Sequence, residues 1–261
     1  MPMIDSSGCP IHVEVEGAES APVLMLSNSL GTDLHMWDTQ MPAFTKAFRV
    51  VRYDRRGHGK SGAPKGPYSM DMLGRDALAI MDALKLTKVN WCGLSMGGMV
   101  GMWLGTHAPE RIERLILSNT AAQMRMPEVW NGRIETVRKG GMGSIVESTI
   151  ERWFTKGFRE SPGSQAKLDP VREMIRTTPP EGYIGCCEAI RDMDQAESIR
   201  KITAPTLIIA GEHDPSTTME AARFMQERIK GSKVIGLDAA HISNIEQPQA
   251  YTEAVLRHLG K

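Results

Sequence analysis

The stretch that decides the fold reads Val89-Asn90-Trp91-Cys92-Gly93-Leu94-Ser95-Met96-Gly97-Gly98. Its first half is typical of a buried strand, and the segment after it is typical of a helix. Between them lies a Gly-x-Ser-x-Gly pattern, which places a serine on a sharp strand-to-helix turn with its hydroxyl exposed above the sheet. Crowding at such a turn leaves room only for glycine at the two flanking positions. The stretch therefore predicts a nucleophile at Ser95, with a plain glycine-rich turn as the alternative.

Composition limits the classes of function. The chain has 261 residues, with 31 Lys+Arg and 31 Asp+Glu, so its formal net charge is zero. This length suits one large α/β domain with a core of its own. A balanced charge argues against nucleic acid as the main partner. No apolar run is long enough to span a membrane, and the first residues lack the charged and apolar regions of a secretion signal. We expect a cytoplasmic protein with neither a nucleic-acid nor a membrane partner.

The four cysteines are Cys9, Cys92, Cys186 and Cys187. Two are adjacent and the other two are far apart, so neither a disulfide framework nor a CxxC metal spacing is present. Reduced thiols in a cytoplasm fit this pattern best. No metal site is predicted.

Strand-like runs alternate with helix-like segments along most of the chain. The runs cover residues 1–5, 11–16, 21–27, 48–53, 89–94, 114–119, 205–210 and 233–237. Such alternation predicts a doubly wound, mostly parallel α/β sheet, with the active site at the carboxyl ends of the strands. Residues 11–16 alternate apolar and polar side chains, which predicts a half-exposed edge strand with a solvated His12.

The character of the sequence changes between the two blocks of strands. From about residue 120 to 198, tryptophan, phenylalanine and methionine lie among charged residues in helix-like segments. We interpret residues 121–198 as a helical cap inserted into a core formed by residues 1–120 and 199–261.

Three candidate catalytic residues follow apolar strand runs: Ser95, Asp214 and His241. A serine hydroxyl is a poor nucleophile at neutral pH, so it needs an adjacent base that a carboxylate orients. His241 is predicted as the base because it follows a late strand. His213 is an alternative base. Asp238 is a rival acid, but it is too near His241 in sequence to be a comfortable partner.

Four motifs carry a family resemblance. They are Asp54-Arg55-Arg56-Gly57-His58-Gly59-Lys60-Ser61, Gly93-Leu94-Ser95-Met96-Gly97, Gly211-Glu212-His213-Asp214 and Ala240-His241. Over essentially its whole length the chain resembles α/β-hydrolase-fold proteins. The resemblance implies an eight-stranded, mostly parallel sheet with a helical cap, and a triad in the order serine, aspartate, histidine. It also implies an oxyanion hole formed by the backbone N–H groups of Leu30 and Met96.

One loop resembles a narrower group. Leu26-Ser27-Asn28-Ser29-Leu30-Gly31-Thr32, followed by Met36-Trp37, resembles the 3-oxoadipate enol-lactonases of bacterial aromatic catabolism. The resemblance implies hydrolysis of that lactone to 3-oxoadipate through an acyl-enzyme, without a cofactor. Because the substrate carries a free carboxylate, the pocket should offer a cation. Arg133 near Trp130 is favoured over Arg152 beside Trp153.

Ser29, Trp130, Arg133 and Trp153 are therefore the predicted substrate-binding residues. Two other functions remain open at this point. One is a general carboxylesterase or perhydrolase with the same triad, and the other is a ligand receptor on the same fold. The sequence makes no prediction of the oligomeric state.

Overall fold

A single eight-stranded sheet forms the core of the computed structural model, which describes residues 3–124 and 126–261. The strands are β1 Met3–Ser6, β2 Cys9–Glu16, β3 Val23–Ser27, β4 Arg49–Tyr53, β5 Val89–Leu94, β6 Ile112–Ser118, β7 Thr206–Gly211 and β8 Lys233–Leu237. Their order across the sheet is β1-β2-β4-β3-β5-β6-β7-β8. Only the β1–β2 and β2–β4 pairs are antiparallel, and the other pairs are parallel. The predicted fold class, a mostly parallel eight-stranded sheet, is confirmed.

Helices alternate with the strands along most of the chain. They are α1 Met41–Phe44, α2 Met70–Ala83, α3 Met96–His107, α4 Pro127–Gly140, α5 Val146–Trp153, α6 Lys156–Glu160, α7 Gln165–Thr177, α8 Pro180–Asp192, α9 Met219–Arg228, α10 Ser243–Glu246 and α11 Pro248–His258. Short 3-10 helices span Leu34–Trp37, Pro109–Arg111, Met142–Ile145 and Ser198–Lys201. Within the described ranges, none of the helices has the length and apolar character needed to cross a membrane.

Strand β5 lies at the centre of the sheet and positions the Gly-x-Ser-x-Gly turn. All six of its residues are buried, as expected for a strand covered by helices on both faces. It pairs in parallel with β3 and β6, so the loops that follow these three strands meet at one edge of the sheet. Helix α3 leaves this edge immediately after β5 and packs against β5 and β6.

The prediction of a solvated His12 on an edge strand is wrong. Strand β2 is flanked by β1 on one side and β4 on the other, so it is internal to the sheet. His12 is only 5% exposed, and its Nδ1 lies 2.9 Å from an Asp54 carboxylate oxygen. Alternation along one strand reveals which residues share a face, but not whether a polar partner covers that face.

Five helices, α4 to α8, lie between β6 and β7. Helices α4 and α8 pack against each other, and α5 packs against α7. Trp130, Ile150 and Leu168 are among the buried residues of this segment, and they join the same hydrophobic core as the sheet. The segment matches the place predicted for a cap, and the bounds 121–198 remain a prediction.

Candidate active site

Ser95 lies on a strained turn between β5 and α3. Its φ of 56° and ψ of −115° are unusual for a residue with a side chain, and strain of this kind is often found at active sites. A Cβ atom on Gly93 would lie 2.1 Å from the carbonyl oxygen of Gly97. One on Gly97 would lie 2.1 Å from the carbonyl oxygen of Ser27. Neither approach is sterically possible, so both flanking positions require glycine, as predicted.

His241 and Asp214 form a buried pair beside this turn. The Nδ1 atom of His241 lies 2.7 Å from Oδ2 of Asp214, and both residues are less than 5% exposed. This contact leaves Nε2 of His241 free to act as a base, provided that Nδ1 carries the proton. Asp214 and His241 lie on the loops after β7 and β8, at the same edge of the sheet as Ser95.

The Asp214 carboxylate is held in its ionised form. Burial by itself would raise its pKa, but several groups act in the other direction. These are the His241 charge and hydrogen bond, the Thr217 hydroxyl at 2.6 Å and the Ser216 backbone N–H at 2.8 Å. Together they bring the pKa of Asp214 below its ordinary value.

Asn119, which the sequence analysis did not assign to the site, also contacts Asp214. It lies directly after β6, and its φ of 44° is in the left-handed region that asparagine tolerates. Its Nδ2 donates to Oδ2 of Asp214 at 3.2 Å and to the Ala240 carbonyl at 3.0 Å. Its Oδ1 accepts from the Ser243 hydroxyl at 2.6 Å. A polar residue at the end of a parallel strand is the sequence signal that could have identified it.

The alternative base, His213, lies elsewhere. Its Nε2 is 2.8 Å from the rival acid Asp238, and the His213 side chain is 55% exposed. His213 and Asp238 line a second cavity, whereas His241 and Ser95 line the same one. The geometry therefore favours His241 and Asp214 over the alternative pair.

The loop after β3 is joined to the serine turn through Asn28. The Asn28 carbonyl accepts from the backbone N–H of Gly97 at 3.0 Å and from the Arg55 guanidinium. The Asn28 side chain accepts from Trp37 Nε1 at 2.9 Å and donates to the Tyr53 carbonyl at 3.0 Å. These four contacts fix the loop beside the serine turn, and its part in an oxyanion hole stays a prediction.

The backbone N–H groups of Leu30 and Met96 have no hydrogen-bond acceptor within residues 3–124 and 126–261. The backbone N–H of Gly31, next to Leu30, does have an acceptor, since it donates to Nε2 of His58 at 2.9 Å. Burial, followed by the Arg55 charge, lowers the pKa of His58 to about 3. His58 is therefore neutral, with Nε2 available as an acceptor. Two free donors beside Ser95 are what an oxyanion hole requires.

A cavity of about 770 Å³ opens above Ser95. All the predicted site residues except Met96 and Asp214 line it, namely Ser29, Leu30, Ser95, Trp130, Arg133, Trp153 and His241. The Ser29 hydroxyl is fully buried and has no hydrogen-bond partner in the described part of the chain. Ser29 thus places an unpaired hydroxyl at the wall of the cavity.

Arg133 and Arg152 both line this cavity. The Arg133 guanidinium stacks over the Trp130 ring at 4.7 Å, and Nη2 of Arg152 donates to the Thr149 hydroxyl at 3.1 Å. Burial, together with the nearby charge of Arg133, lowers the pKa of Arg152. The sequence analysis favours Arg133 over Arg152 as the cation for the substrate carboxylate, but the structure places both side chains at the cavity.

Glu246 is a second residue that the sequence analysis missed. It is 7% exposed, and its carboxylate accepts from the Ala240 N–H at 2.9 Å and from the Thr155 N–H at 3.2 Å. The Thr155 hydroxyl also donates to it. Close by, the Ile242 N–H donates to the Trp153 carbonyl at 3.1 Å. The loop that carries His241 is thus bonded on both sides to the end of α5.

Comparison with known proteins agrees with this geometry. A family model described as alpha/beta hydrolase fold matches residues 22–248. The chain belongs to the α/β-hydrolase family. In this family a serine on a strand-to-helix turn is the nucleophile and a late histidine is the base.

Two proteins of Acinetobacter baylyi are similar along most of the chain. The one named 3-oxoadipate enol-lactonase 2 is 42% identical over 92% of this chain and 89% of its own length. The one named 3-oxoadipate enol-lactonase 1 is 39% identical over 94% of this chain and 91% of its own length. A crystal structure of the enol-lactonase from Burkholderia xenovorans LB400 superposes with a TM-score of 0.95 at 43% identity, covering 98% of each chain.

Proposed function

We propose that this protein hydrolyses 3-oxoadipate enol-lactone to 3-oxoadipate in the catabolism of aromatic compounds. One observation carries the proposal. A single cavity holds Ser95, His241 and two arginines that have no carboxylate partner among the described residues, in a chain about 40% identical to proteins named for this activity. The substrate is a small lactone with a free carboxylate, so it requires a nucleophile and a cation in one pocket.

The first step is attack by Ser95 on the lactone carbonyl. Nε2 of His241 takes the hydroxyl proton, while Asp214 holds the ring through Nδ1 and stabilises the imidazolium that forms. The tetrahedral oxyanion lies against the N–H groups of Leu30 and Met96. Each such donor typically contributes about 3 kcal/mol to the stability of the transition state.

Ring opening then expels an enol oxygen, which is a better leaving group than an alkoxide. The enol receives the proton from His241 and tautomerises to a ketone. This removes the oxygen nucleophile that could close the ring again. Water, activated by His241, next hydrolyses the acyl-enzyme and restores Ser95.

The remaining residues orient the substrate. Arg133 and Arg152 bind its carboxylate, since a planar guanidinium matches a carboxylate in two parallel hydrogen bonds. The Ser29 hydroxyl donates to a substrate oxygen, and Trp130 and Trp153 enclose the ring. We propose residues 121–198 as the cap that supplies these side chains, apart from Ser29.

Steady-state kinetics on the enol-lactone and on a neutral aryl ester tests this function. We expect kcat/KM to be at least about a hundredfold higher for the lactone, because only the lactone uses the arginines and the hydroxyl of Ser29. A preference for the neutral ester would instead indicate the general carboxylesterase or perhydrolase. Loss of one carboxylate-binding arginine should raise KM for the lactone roughly ten- to a hundredfold.

A further inference from the structure

Arg133 and Arg152 differ from the other arginines of the helical segment. Of the others that the structure describes, four pair with carboxylates, namely Arg138, Arg172, Arg176 and Arg191. Arg159 lacks a carboxylate partner too, but it donates to the Phe154 carbonyl at 3.2 Å and does not line the cavity. Arg133 and Arg152 have no carboxylate within 4.0 Å anywhere in residues 3–124 and 126–261, and both line the cavity above Ser95. Glu220 also lines this cavity, but it forms no ion pair with either arginine in the described chain. Two cations left without an ion pair in a largely apolar cavity form a receptor for an external anion.

The local contacts strengthen this interpretation. Arg133 rests on the Trp130 ring and interacts with the Tyr183 side chain, and the one hydrogen bond of the Arg152 side chain within the described residues goes to the neutral Thr149 hydroxyl. The Nε atom of Arg152 is buried without a partner in the described chain. Both arginines are half-buried, so their guanidinium groups lose part of their hydration, and a ligand that supplies partners offsets this loss. The site is therefore built for a ligand that brings its own carboxylate.

The chemistry of the proposed function shows where on the substrate this carboxylate lies. When the enol-lactone opens on Ser95, its leaving oxygen and its free carboxylate both remain on the acyl group. Everything that the site recognises is then part of an acyl chain with an ester to Ser95 at one end and a carboxylate at the other. The identity of a departing alcohol is not constrained by these contacts.

We propose that the protein also hydrolyses open-chain half-esters of dicarboxylic acids of about six carbons. This inference rests on the proposed function for the identity of the acyl chain. It does not depend on a ring in the substrate. A cavity of about 770 Å³ is within the range that holds drug-sized ligands, so it accommodates an extended six-carbon chain together with a leaving alcohol.

The reaction consumes one water molecule and needs no other reagent. The Ser95 oxygen forms a bond to the ester carbonyl carbon as His241 takes the serine proton. The carbon–oxygen bond to the alcohol breaks, and His241 gives its proton to the departing alkoxide. Water then attacks the acyl-enzyme, which releases the dicarboxylate and regenerates Ser95.

The test compares 4-nitrophenyl hydrogen adipate with 4-nitrophenyl hexanoate, in which a methyl group replaces the carboxylate. We expect the wild-type protein to favour the half-ester by at least about tenfold in kcat/KM. In Arg133→Met/Arg152→Met this ratio should fall to near one. In Arg138→Met, whose side chain pairs with Glu135 away from the cavity, the ratio should stay at the wild-type value.

Equal rates for the two esters in the wild-type protein would overturn the inference, and so would a wild-type ratio in the double variant. If the double variant does not fold, Arg133→Lys and Arg152→Lys keep the charge but lose the planar fork, and they should give intermediate ratios. The enol-lactone is assayed in parallel. Turnover of the lactone without a half-ester preference contradicts this inference alone, whereas a half-ester preference without lactone turnover contradicts the proposed function.

Discussion

The carbonyl oxygen of Asn28 accepts a 3.0 Å hydrogen bond from the backbone N–H of Gly97. This single contact joins the two segments that carry the free donors, because Leu30 follows Asn28 by two residues and Met96 precedes Gly97. The spacing of the two donors is therefore set by backbone, and it does not depend on a side chain that could change rotamer. Precise spacing matters because donors stabilise an oxyanion only at about 3 Å.

Gly97→Ala should separate these two segments. The new Cβ would lie 2.1 Å from the Ser27 carbonyl, so the turn and the loop must move apart. We expect kcat on the enol-lactone to fall at least about a hundredfold, as for loss of an oxyanion donor. Gly132→Ala is the matched control, because nothing lies within 4 Å of its added Cβ, and it should keep wild-type kinetics. Wild-type kcat in Gly97→Ala would contradict the role given to this contact.

Asn119→Asp should change the pH dependence of activity. A second carboxylate about 3.2 Å from Asp214 disfavours the ionised form, so the pKa of the Asp214 carboxyl rises from its lowered wild-type position. The acid limb of the kcat/KM profile should then move to higher pH. Asn119→Ala removes the donor without adding charge, so it should lower kcat/KM and move the acid limb less than Asn119→Asp does. Coincident profiles for Asn119→Asp and the wild-type protein would show that Asn119 does not tune Asp214.

Glu246→Gln tests whether the end of α5 positions the His241 loop. One amide oxygen cannot replace two carboxylate oxygens that accept from Ala240 and Thr155, and the new NH₂ group faces donors. We expect kcat to fall roughly ten- to a hundredfold with a smaller change in KM, because a buried donor loses its acceptor next to the base. Glu253→Gln, on the exposed face of α11, is the control. An equal loss of kcat in Glu246→Gln and Glu253→Gln would show that Glu246 does not position the His241 loop.

His58 should make the protein less stable in mild acid. Its pKa is about 3 in the folded state and about 6.5 in the unfolded chain, so below pH 6.5 only the unfolded state takes up a proton. The free energy of unfolding should therefore decrease as pH falls, by about 2 kcal/mol at pH 5 relative to pH 8. Urea titrations at both pH values measure this decrease. In His58→Gln the decrease in unfolding free energy should be smaller by about 2 kcal/mol. In His107→Gln, at an exposed histidine, the decrease should stay at its wild-type size. An unchanged pH dependence in His58→Gln would refute the assignment.

Much of the site was predictable because its signals are local. The requirement for glycine at Gly93 and Gly97 follows from the turn itself, and the Cβ distances bear it out. The three triad candidates each follow an apolar run, and parallel strands bring their carboxyl ends to one edge. Local pattern and sheet topology together were therefore enough to place Ser95, Asp214 and His241 near one another.

The parts that were missed depend on contacts between distant segments. Glu246 bonds to Thr155, 91 residues away, and nothing in the sequence near Glu246 indicates that partner. The alternating pattern of its strand predicts a solvated His12, yet Asp54 hydrogen-bonds to it in the folded chain. The choice between Arg133 and Arg152 was likewise open, since helical spacing alone does not show which side chains reach the cavity.

In the proposed function, Ser95 is the nucleophile that opens 3-oxoadipate enol-lactone. The most direct measurement is the initial rate of lactone loss with the wild-type protein and with Ser95→Ala, at equal concentrations of folded protein. We predict rapid turnover by the wild-type protein and a loss of at least about 10⁴-fold in kcat for Ser95→Ala, with an unchanged unfolding midpoint. Lactone loss at the wild-type rate in Ser95→Ala, or no lactone loss with the wild-type protein, would contradict the account.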